Sequence, residues 1–343
     1  MICWSCVTLP RLGLRYCSTA ARAGCALLPS DREPADREPA DREHVAPVLA
    51  VLAAASLFGT TGTAQALAVG ALGAGVTTPL GVGAARLVVG GLGLLVVLPL
   101  LGGSMLSALR LWRQPVALWA GVMTAFYQVC FFASVQRTGV AIGTLVTIGS
   151  GPVLAGVLSW VLLRERPQRA WVLATALCVL GLGLLAARGG GTADGLGVGL
   201  ALASGLGYAL YTVLARQLIV SGAPSSEVMA AAFGLGGLLL IPVLVTAHPA
   251  WIATGAGSAL VLWLGLGTTT LAYVLFGRGL TVLPAGPVTT LVLAEPLVAT
   301  VLSVLVLGER LSPLGWSGAL LVLVGLAVQG LASGRVGPSD RQE

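Results

Sequence analysis

Apolar residues run in ten long stretches along the chain, and short segments with Arg, Pro or Gly separate them. Each stretch is close to the roughly 20 apolar residues that cross the hydrocarbon core of a bilayer. A helix satisfies its own backbone hydrogen bonds in lipid. The pattern therefore predicts an all-α membrane protein with ten transmembrane helices. The predicted spans are about 46–66, 83–101, 116–135, 140–163, 169–187, 194–214, 228–246, 257–276, 283–307 and 314–332.

The composition supports a membrane protein and leaves no room for a separate soluble domain. Hydrophobic residues make up 56% of the 343 residues, charged residues only 9%, and the mean hydropathy is +0.94. Soluble domains carry about 25% charged residues. The net charge of +6 comes from arginines alone. They are scattered singly over short loops, whereas nucleic-acid binding needs a basic patch on one soluble face, so no nucleic-acid partner is predicted.

Residues 1–44 differ from the rest of the chain. Asp31-Arg-Glu-Pro-Ala is repeated from Asp36 and followed by Asp41-Arg-Glu. A segment this polar and rich in proline buries too little apolar surface to order itself. We predict a disordered, low-complexity cytoplasmic tail; the alternative is an extension that comes from a misplaced start site. Residues 334–343 are predicted to be a short cytoplasmic C-terminal tail.

The loop arginines indicate the orientation. With a cytoplasmic N-terminus, the inner loops and the C-terminal tail hold nine arginines and the outer side holds four, which are Arg86, Arg137, Arg188 and Arg310. Cytoplasmic loops are enriched in Arg and Lys. We therefore predict a multi-pass protein of the plasma (inner) membrane with both termini in the cytoplasm. Arg86 lies a few residues inside the second span, and we interpret it as reaching back to the outer surface, with a role in substrate binding as the alternative.

An internal repeat divides the spans into two sets of five. Adding 144 to a residue number converts Leu118-Trp119-x-Gly121 into Leu262-Trp263-x-Gly265, and Pro152 into Pro296. The predicted repeats are residues 45–188 and 189–333. Because five is odd, the second repeat enters the membrane from the opposite side. This inverted-topology arrangement is common in secondary transporters, whose substrate site lies near the midplane between the repeats.

The repeated motif resembles a known family. Pro284-Ala-Gly-Pro287 leads through Glu295-Pro296 to Leu307-Gly-Glu309-Arg310-Leu311, and Gly151-Pro152 to Arg164-Glu165-Arg166 matches it in the first half. This pattern is similar to the paired EamA domains of the drug/metabolite transporter superfamily. The resemblance covers about residues 46–332. It implies a ten-helix transporter, often an exporter of amino acids, metabolites or toxic compounds, and it does not supply the substrate.

Glu295 is the acidic residue that the pattern places in the middle of an apolar span. A charge at that depth costs on the order of 2.5 kcal/mol or more. The chain has no lysine, and both histidines, His44 and His248, fall in predicted loops. We expect Glu295 to face a polar cavity between the halves, as a proton-coupling site or as the counter-charge for a substrate amine. A structural hydrogen bond between helices is the alternative. The symmetric position is Gly151, which has no side chain to do the same.

Two prolines at symmetric mid-span positions are candidate hinges. Pro152 and Pro296 each remove a backbone donor and free the carbonyl of the residue four positions earlier. Membrane helices also tolerate proline for packing alone, so both interpretations stay open.

Hydroxyl and amide side chains recur at mid-span on helical faces of other spans. In lipid such groups are expected to point into the bundle, so together they predict a cavity shared with Glu295. Ordinary interhelical hydrogen bonding, worth about 0.6 kcal/mol on average, is the alternative for each one. The candidates are Tyr127, Gln128, Thr147, Ser150, Tyr208, Tyr211 and Tyr273.

Motifs of other functional classes are missing from the sequence. It has no GxxxxGK[ST] phosphate loop and no HExxH zinc motif, which argues against an ATP-driven pump. An enzyme or a lipid-handling protein would need clustered His, Asp or Glu, and the carboxylates here are isolated. We predict no enzymatic activity, no metal site and no cofactor.

The resulting prediction is a secondary transporter that exports a small metabolite, amino acid or drug-like solute by alternating access. Its partners would be the solute, the lipid bilayer and protons, in a monomer or a homodimer. An uncoupled facilitator or channel is the alternative, followed by a membrane-embedded enzyme or lipid-handling protein.

Overall fold

The computed structural model describes residues 38–73, 75–186, 194–308 and 312–334. Within these ranges ten helices are long and apolar enough to cross a membrane. This confirms the predicted fold class, and the helix ends differ from the predicted ones by at most six residues. The spans, α1 to α10 in order, are Val45–Leu72, Pro79–Leu101, Pro115–Gly139, Ile142–Leu163, Arg169–Ala186, Gly195–Val220, Ser225–Thr246, Gly255–Val282, Ala285–Val306 and Pro313–Ser333.

Several predictions concern residues outside the described ranges. They include residues 1–37 of the predicted tail, the C-terminal segment 335–343, the repeat boundary within 187–193, and Glu309 and Arg310 of the repeated motif. The helix that contains α1 begins at Glu38. Its first seven residues thus fall in the segment that was predicted to be disordered.

The odd- and even-numbered spans run in opposite directions. We call the face of the membrane at which α1 begins the N face. With ten consecutive crossings, α4, α6 and α8 end at the N face, and α6, the first helix of the second repeat, begins at the opposite face. The turn between α3 and α4 is so tight that only Gly139 leaves the helical conformation, with a φ of 82° that favours glycine.

The inverted symmetry is visible where the last helices of the two repeats, α5 and α10, cross. Gly181 of α5 approaches the backbone of Gly318 in α10, and Gly325 of α10 approaches the backbone of Ala174 in α5. An offset of 144 relates Gly181 to Gly325 and Ala174 to Gly318. The two contacts are therefore equivalent. A side chain at either glycine would collide with the facing backbone, so the crossing depends on them.

Helix α6 joins the two repeats because it packs against both α3 and α4. Ser204 Oγ donates a hydrogen bond to the Tyr127 carbonyl (2.9 Å), and Thr147 Oγ1 donates one to the Ala201 carbonyl (3.1 Å). These side chain to backbone bonds cross between the halves at mid-depth.

Two helices of the second repeat are irregular at mid-depth. In α8 a π-helical segment covers Trp263–Leu271, and π segments occur frequently at functional sites. In α9 the helix is broken at residues 292–293, between Ala285–Leu291 and Ala294–Val306. The break agrees with the chemistry of Pro296, which has no N–H to give to the Val292 carbonyl. That carbonyl instead accepts from the Glu295 amide at 2.8 Å.

The symmetric proline has a different effect. Helix α4 continues through Pro152 without a break. The irregular backbone thus belongs to the second repeat, and the two prolines are not structurally equivalent.

Candidate functional site

A cavity of about 90 Å³ lies between the two repeats, at the middle of the bundle. Tyr127, the thirteenth of 25 residues in α3, and Glu295, the eleventh of 22 in α9, both line it. The first repeat contributes lining residues from α1 to α4, and the second contributes them from α6, α8 and α9. A cavity needs about 10–15 Å³ of this kind of volume to hold one water, so this cavity accommodates several waters or a small organic group.

Two side chains of opposite charge line this cavity, Arg86 of α2 and Glu295 of α9. Both side chains are partly exposed. The two ion pairs within 4.0 Å in the described part of the chain join other residues. Arg86 and Glu295 therefore face one cavity without direct contact.

The interpretation of Arg86 as reaching the outer surface is wrong. Its Nε donates a hydrogen bond to Thr269 Oγ1 at 3.1 Å, inside the bundle. This is possible because α2 has glycine at positions 90 and 93, where a side chain would collide with Thr269 and Thr270. The close approach brings the threonine hydroxyls of α8 within reach of the arginine. A polar partner in the interior removes the reason for Arg86 to extend to the surface.

Aromatic side chains form one wall of the cavity. The hydroxyl groups of Tyr127 and Tyr273 lie 3.3 Å apart. Tyr208 meets Tyr127 edge to face with ring centroids 6.1 Å apart, and Phe58 packs on Tyr273 at 5.1 Å. Such a wall offers both apolar surface and hydroxyl groups, which suits an organic solute.

Two polar groups at the cavity have no hydrogen-bond partner within the described part of the chain. Gln128 is only 3% exposed, and its Nε2 is unpaired. The Tyr208 hydroxyl is also unpaired. Buried polar groups without a partner are costly, so this region has hydrogen-bonding capacity that a polar ligand can use.

Six of the eight predicted cavity residues line this space. They are Glu295, Tyr127, Gln128, Thr147, Tyr208 and Tyr273. Ser150 instead donates a hydrogen bond to the Thr147 carbonyl beside Gly205. Tyr211 is fully buried behind Tyr127, with the two rings stacked at 5.5 Å. The candidate hinge Pro296 directly follows Glu295, and Pro152 lies two residues beyond Ser150.

The sequence reasoning missed six lining residues: two are the aliphatic residues Ile148 and Val292, and the other four are charged, polar or aromatic. The charge of Arg86 inside an apolar span was a usable signal, since it is opposite to that of Glu295. Thr289 carried a weaker signal as a polar residue of the same helix as Glu295. Phe58 and Phe131 carried none, because a phenylalanine in an apolar span is equally consistent with packing or lipid contact.

The N-face side of the cavity is filled by packed side chains. Tyr211, Phe233, Tyr273 and Phe276 are at most 3% exposed and contact one another, with the Phe233 and Tyr273 rings 3.8 Å apart. We call these four residues the aromatic layer. It separates the cavity from the ends of α4, α6 and α8.

An ion-pair network lies at those helix ends. Arg216 of α6 pairs with Glu165, just after α4, at 3.1 Å and donates to the Leu280 carbonyl of α8 at 2.6 Å. Ser159 Oγ also donates to Glu165. The network ties the first repeat to the second at the N face.

Comparison with known proteins agrees with this architecture. A protein of known crystal structure superposes with a TM-score of 0.69 at 24% identity, over 84% of this chain and 98% of that chain, which shows a common fold. The chain is 40% identical over 281 residues to the uncharacterized transporter YwfM of Bacillus subtilis, which covers 82% of this chain and 92% of the relative. It is 24% identical over 213 residues to the uncharacterized inner membrane transporter YicL of Salmonella typhimurium, covering 61% of this chain and 70% of the relative. The model of the EamA-like transporter family matches twice, at residues 45–187 and 195–330. The chain therefore belongs to the EamA-like transporter family.

Proposed function

We propose that this protein is a secondary transporter that exports a small organic solute, a metabolite, an amino acid or a drug-like compound, by alternating access. The observation that carries the proposal is the mid-depth cavity between two inverted repeats, with an arginine and a glutamate on its walls. Charged groups at this depth are expensive and mark transport pathways. The outward direction is carried over from the family resemblance.

Glu295 is the residue on which we expect transport to depend. It is the one Asp or Glu among the described residues that lines the cavity. As a proton-coupling site it would bind a proton in one half of the cycle and release it in the other. As a counter-charge it would hold a protonated amine of the solute. We propose no enzymatic step, because solute translocation needs none.

The orientation follows from the same arginine rule as before. With Arg86 inside the bundle, the outer side keeps three of the four arginines assigned to it, against nine on the inner side. We propose that both termini lie in the cytoplasm of a plasma (inner) membrane protein, so that the N face is the cytoplasmic face. The Salmonella relative is named an inner membrane transporter.

The transport function is tested in two steps. Cells that express the full chain are screened for resistance to and reduced accumulation of amino acids, metabolites and drugs. The purified chain is then reconstituted in liposomes, and counterflow of the solutes found is measured. We expect saturable counterflow above protein-free liposomes. Protein-dependent flux without counterflow would favour a channel, and no protein-dependent flux of any solute would overturn the proposal.

We also propose that the break in α9 is a hinge of the transport cycle. In Pro296→Ala the restored N–H can bond to the Val292 carbonyl and straighten the helix. We expect about tenfold lower kcat with an unchanged KM, equivalent to about 1.4 kcal/mol in the barrier of the conformational step. Pro152→Ala is the matched control, because α4 is already continuous there. Equal effects of the two substitutions on counterflow kinetics would contradict the hinge.

A further inference from the structure

The guanidinium of Arg86 is held at one end and open at the other. Its Nε is bonded to Thr269. In the part of the chain that the structure describes, neither of its terminal nitrogens donates a hydrogen bond to a protein group or forms an ion pair within 4.0 Å. Fixing Nε restricts the orientation of the guanidinium plane. The two terminal nitrogens remain available to a ligand in the cavity that Arg86 lines.

The π-helical segment of α8 explains why Thr269 faces Arg86. Thr269 Oγ1 donates to the Leu264 carbonyl five residues earlier (2.9 Å), which is the spacing of a π turn. Because its only hydrogen is used there, the hydroxyl oxygen presents its lone pairs to Arg86. The preceding residue, Thr268, donates to the same carbonyl at the same distance, and among the described residues Arg86 donates its hydrogen bond to Thr269 and not to Thr268. The π turn thus places one specific hydroxyl beside the arginine.

A second donor in the cavity also lacks an acceptor. Among the residues that the structure describes, the Nε2 of Gln128 has no acceptor, although the side chain is 97% buried. Gln128, like Arg86, thus lines the cavity and has an N–H group without an acceptor. An anionic acceptor would satisfy both of them.

We propose that Arg86, positioned by Thr269, binds a carboxylate group of the transported solute. A planar guanidinium with two free terminal nitrogens matches a carboxylate in a bidentate arrangement. Glu295 in the same cavity disfavours a ligand with two negative charges, such as a phosphate dianion, and favours a singly charged one. This inference rests on the proposed transport function, and it restricts the solutes to carboxylates.

The test measures binding to the purified full chain by thermal unfolding. The probes are the common α-amino acids and the straight-chain monocarboxylates from acetate to hexanoate, each compared with its own neutral amide. We expect at least one carboxylate to raise the melting temperature in a saturable way, and its amide to need about tenfold or more higher concentration, a difference of about 1.4 kcal/mol. In Arg86→Gln we expect acid and amide to bind alike. If no carboxylate binds, or if Arg86→Gln keeps the preference for the acid, the proposal is overturned.

The role of Thr269 is tested by three matched variants. Thr269→Val removes the hydroxyl at constant size and should reduce the preference for the acid over its amide several-fold. Thr269→Ser keeps the hydroxyl and should restore the preference. Thr268→Val removes an equally buried hydroxyl bonded to the same carbonyl and should leave the preference intact. These variants also decide the question if Arg86→Gln fails to purify as a folded protein. If Thr268→Val and Thr269→Val reduce the preference for the acid equally, Thr269 does not position Arg86.

Failure of this inference is distinguishable from failure of the transport function. If counterflow identifies a solute without a carboxylate, the protein is a transporter and the inference is wrong. If no solute shows counterflow but carboxylates bind through Arg86, the cavity binds carboxylates as proposed and the transport function fails.

Discussion

Replacing Glu295 by glutamine is expected to reduce gradient-driven transport by at least about tenfold, without lowering the melting temperature of the protein. Glutamine has the same size, but it neither titrates nor carries charge. A charge at mid-depth costs on the order of 2.5 kcal/mol or more, so neutralising it should not destabilise the fold. Loss of transport with retained stability would identify a functional carboxylate. The measurements are solute flux driven by a pH gradient in proteoliposomes and thermal unfolding of the same preparations.

The same variant separates the two roles considered for Glu295. A proton-coupling residue can be neutral throughout a solute exchange cycle, so Glu295→Gln would keep counterflow and lose the response to the pH gradient. If Glu295 is instead the counter-charge for an amine, Glu295→Gln would lose both counterflow and the response to the pH gradient. Its KM would be raised for solutes that carry an amine. Wild-type flux at every pH would rule out both roles and leave a structural hydrogen bond.

Glu227→Gln provides the matched control. Glu227 is only 9% exposed, lies in the first turn of α7 and accepts a hydrogen bond from the Ser104 amide at 3.0 Å. It does not line the cavity. Because hydrogen bonds to charged groups are stronger than those to neutral ones, this variant should lose stability and keep flux per folded molecule. Glu295→Gln should thus lose transport and keep stability, whereas Glu227→Gln should lose stability and keep transport.

The pattern of apolar residues along the sequence was sufficient to predict the fold and part of the candidate site. Runs of apolar residues determine where helices cross a bilayer, because the length requirement is set by the bilayer and not by neighbouring helices. Glu295 was recognisable for a similar reason, since no surface is within its reach at mid-span. Arg86 was harder, because a long side chain eight residues from a helix end can reach either the surface or the interior. The choice depends on Thr269, which is 183 residues away in sequence.

The backbone irregularities of α8 and α9 were likewise not predictable from the sequence, because they too depend on contacts between helices. Pro152 and Pro296 are related by the repeat, yet only the second accompanies a break. The π turn of α8 has no counterpart in the periodicity of the sequence. Thr268, Thr269 and Thr270 mark the segment as polar, but which hydroxyl accepts from Arg86 depends on the extra residue in the turn. Such details come from packing between helices, and a single sequence does not encode them in a readable pattern.

Breaking the Glu165 to Arg216 ion pair is expected to open the N face. The pair joins the two repeats below the aromatic layer, so the repeats can separate there only if it dissociates. Its side chains are 11% and 21% exposed. Its contribution should therefore lie between the 0–1 kcal/mol typical of exposed pairs and the roughly 3–5 kcal/mol lost when a buried pair is broken. A shift of about 1.4 kcal/mol would raise the N-face-open population about tenfold.

The measurement uses a single cysteine at position 292 in a chain whose six native cysteines are replaced. A membrane-impermeant thiol reagent is added from either face of oriented vesicles. In Arg216→Gln we expect about tenfold faster labelling from the N face and slower labelling from the opposite face, since the two open states share one population. Faster labelling from both faces would indicate general loosening and would contradict a role in closing one side.

Arg137→Gln is the comparison at the opposite face. Arg137 pairs with Asp194 at the same 3.1 Å, but the two side chains are 48% and 37% exposed. A pair this exposed contributes little, so labelling from either face should change by less than about twofold. The double variant of Glu165 and Arg216, both changed to Gln, should label no faster than Arg216→Gln, because one interaction cannot be lost twice. Additive effects would mean that the two residues act through separate contacts.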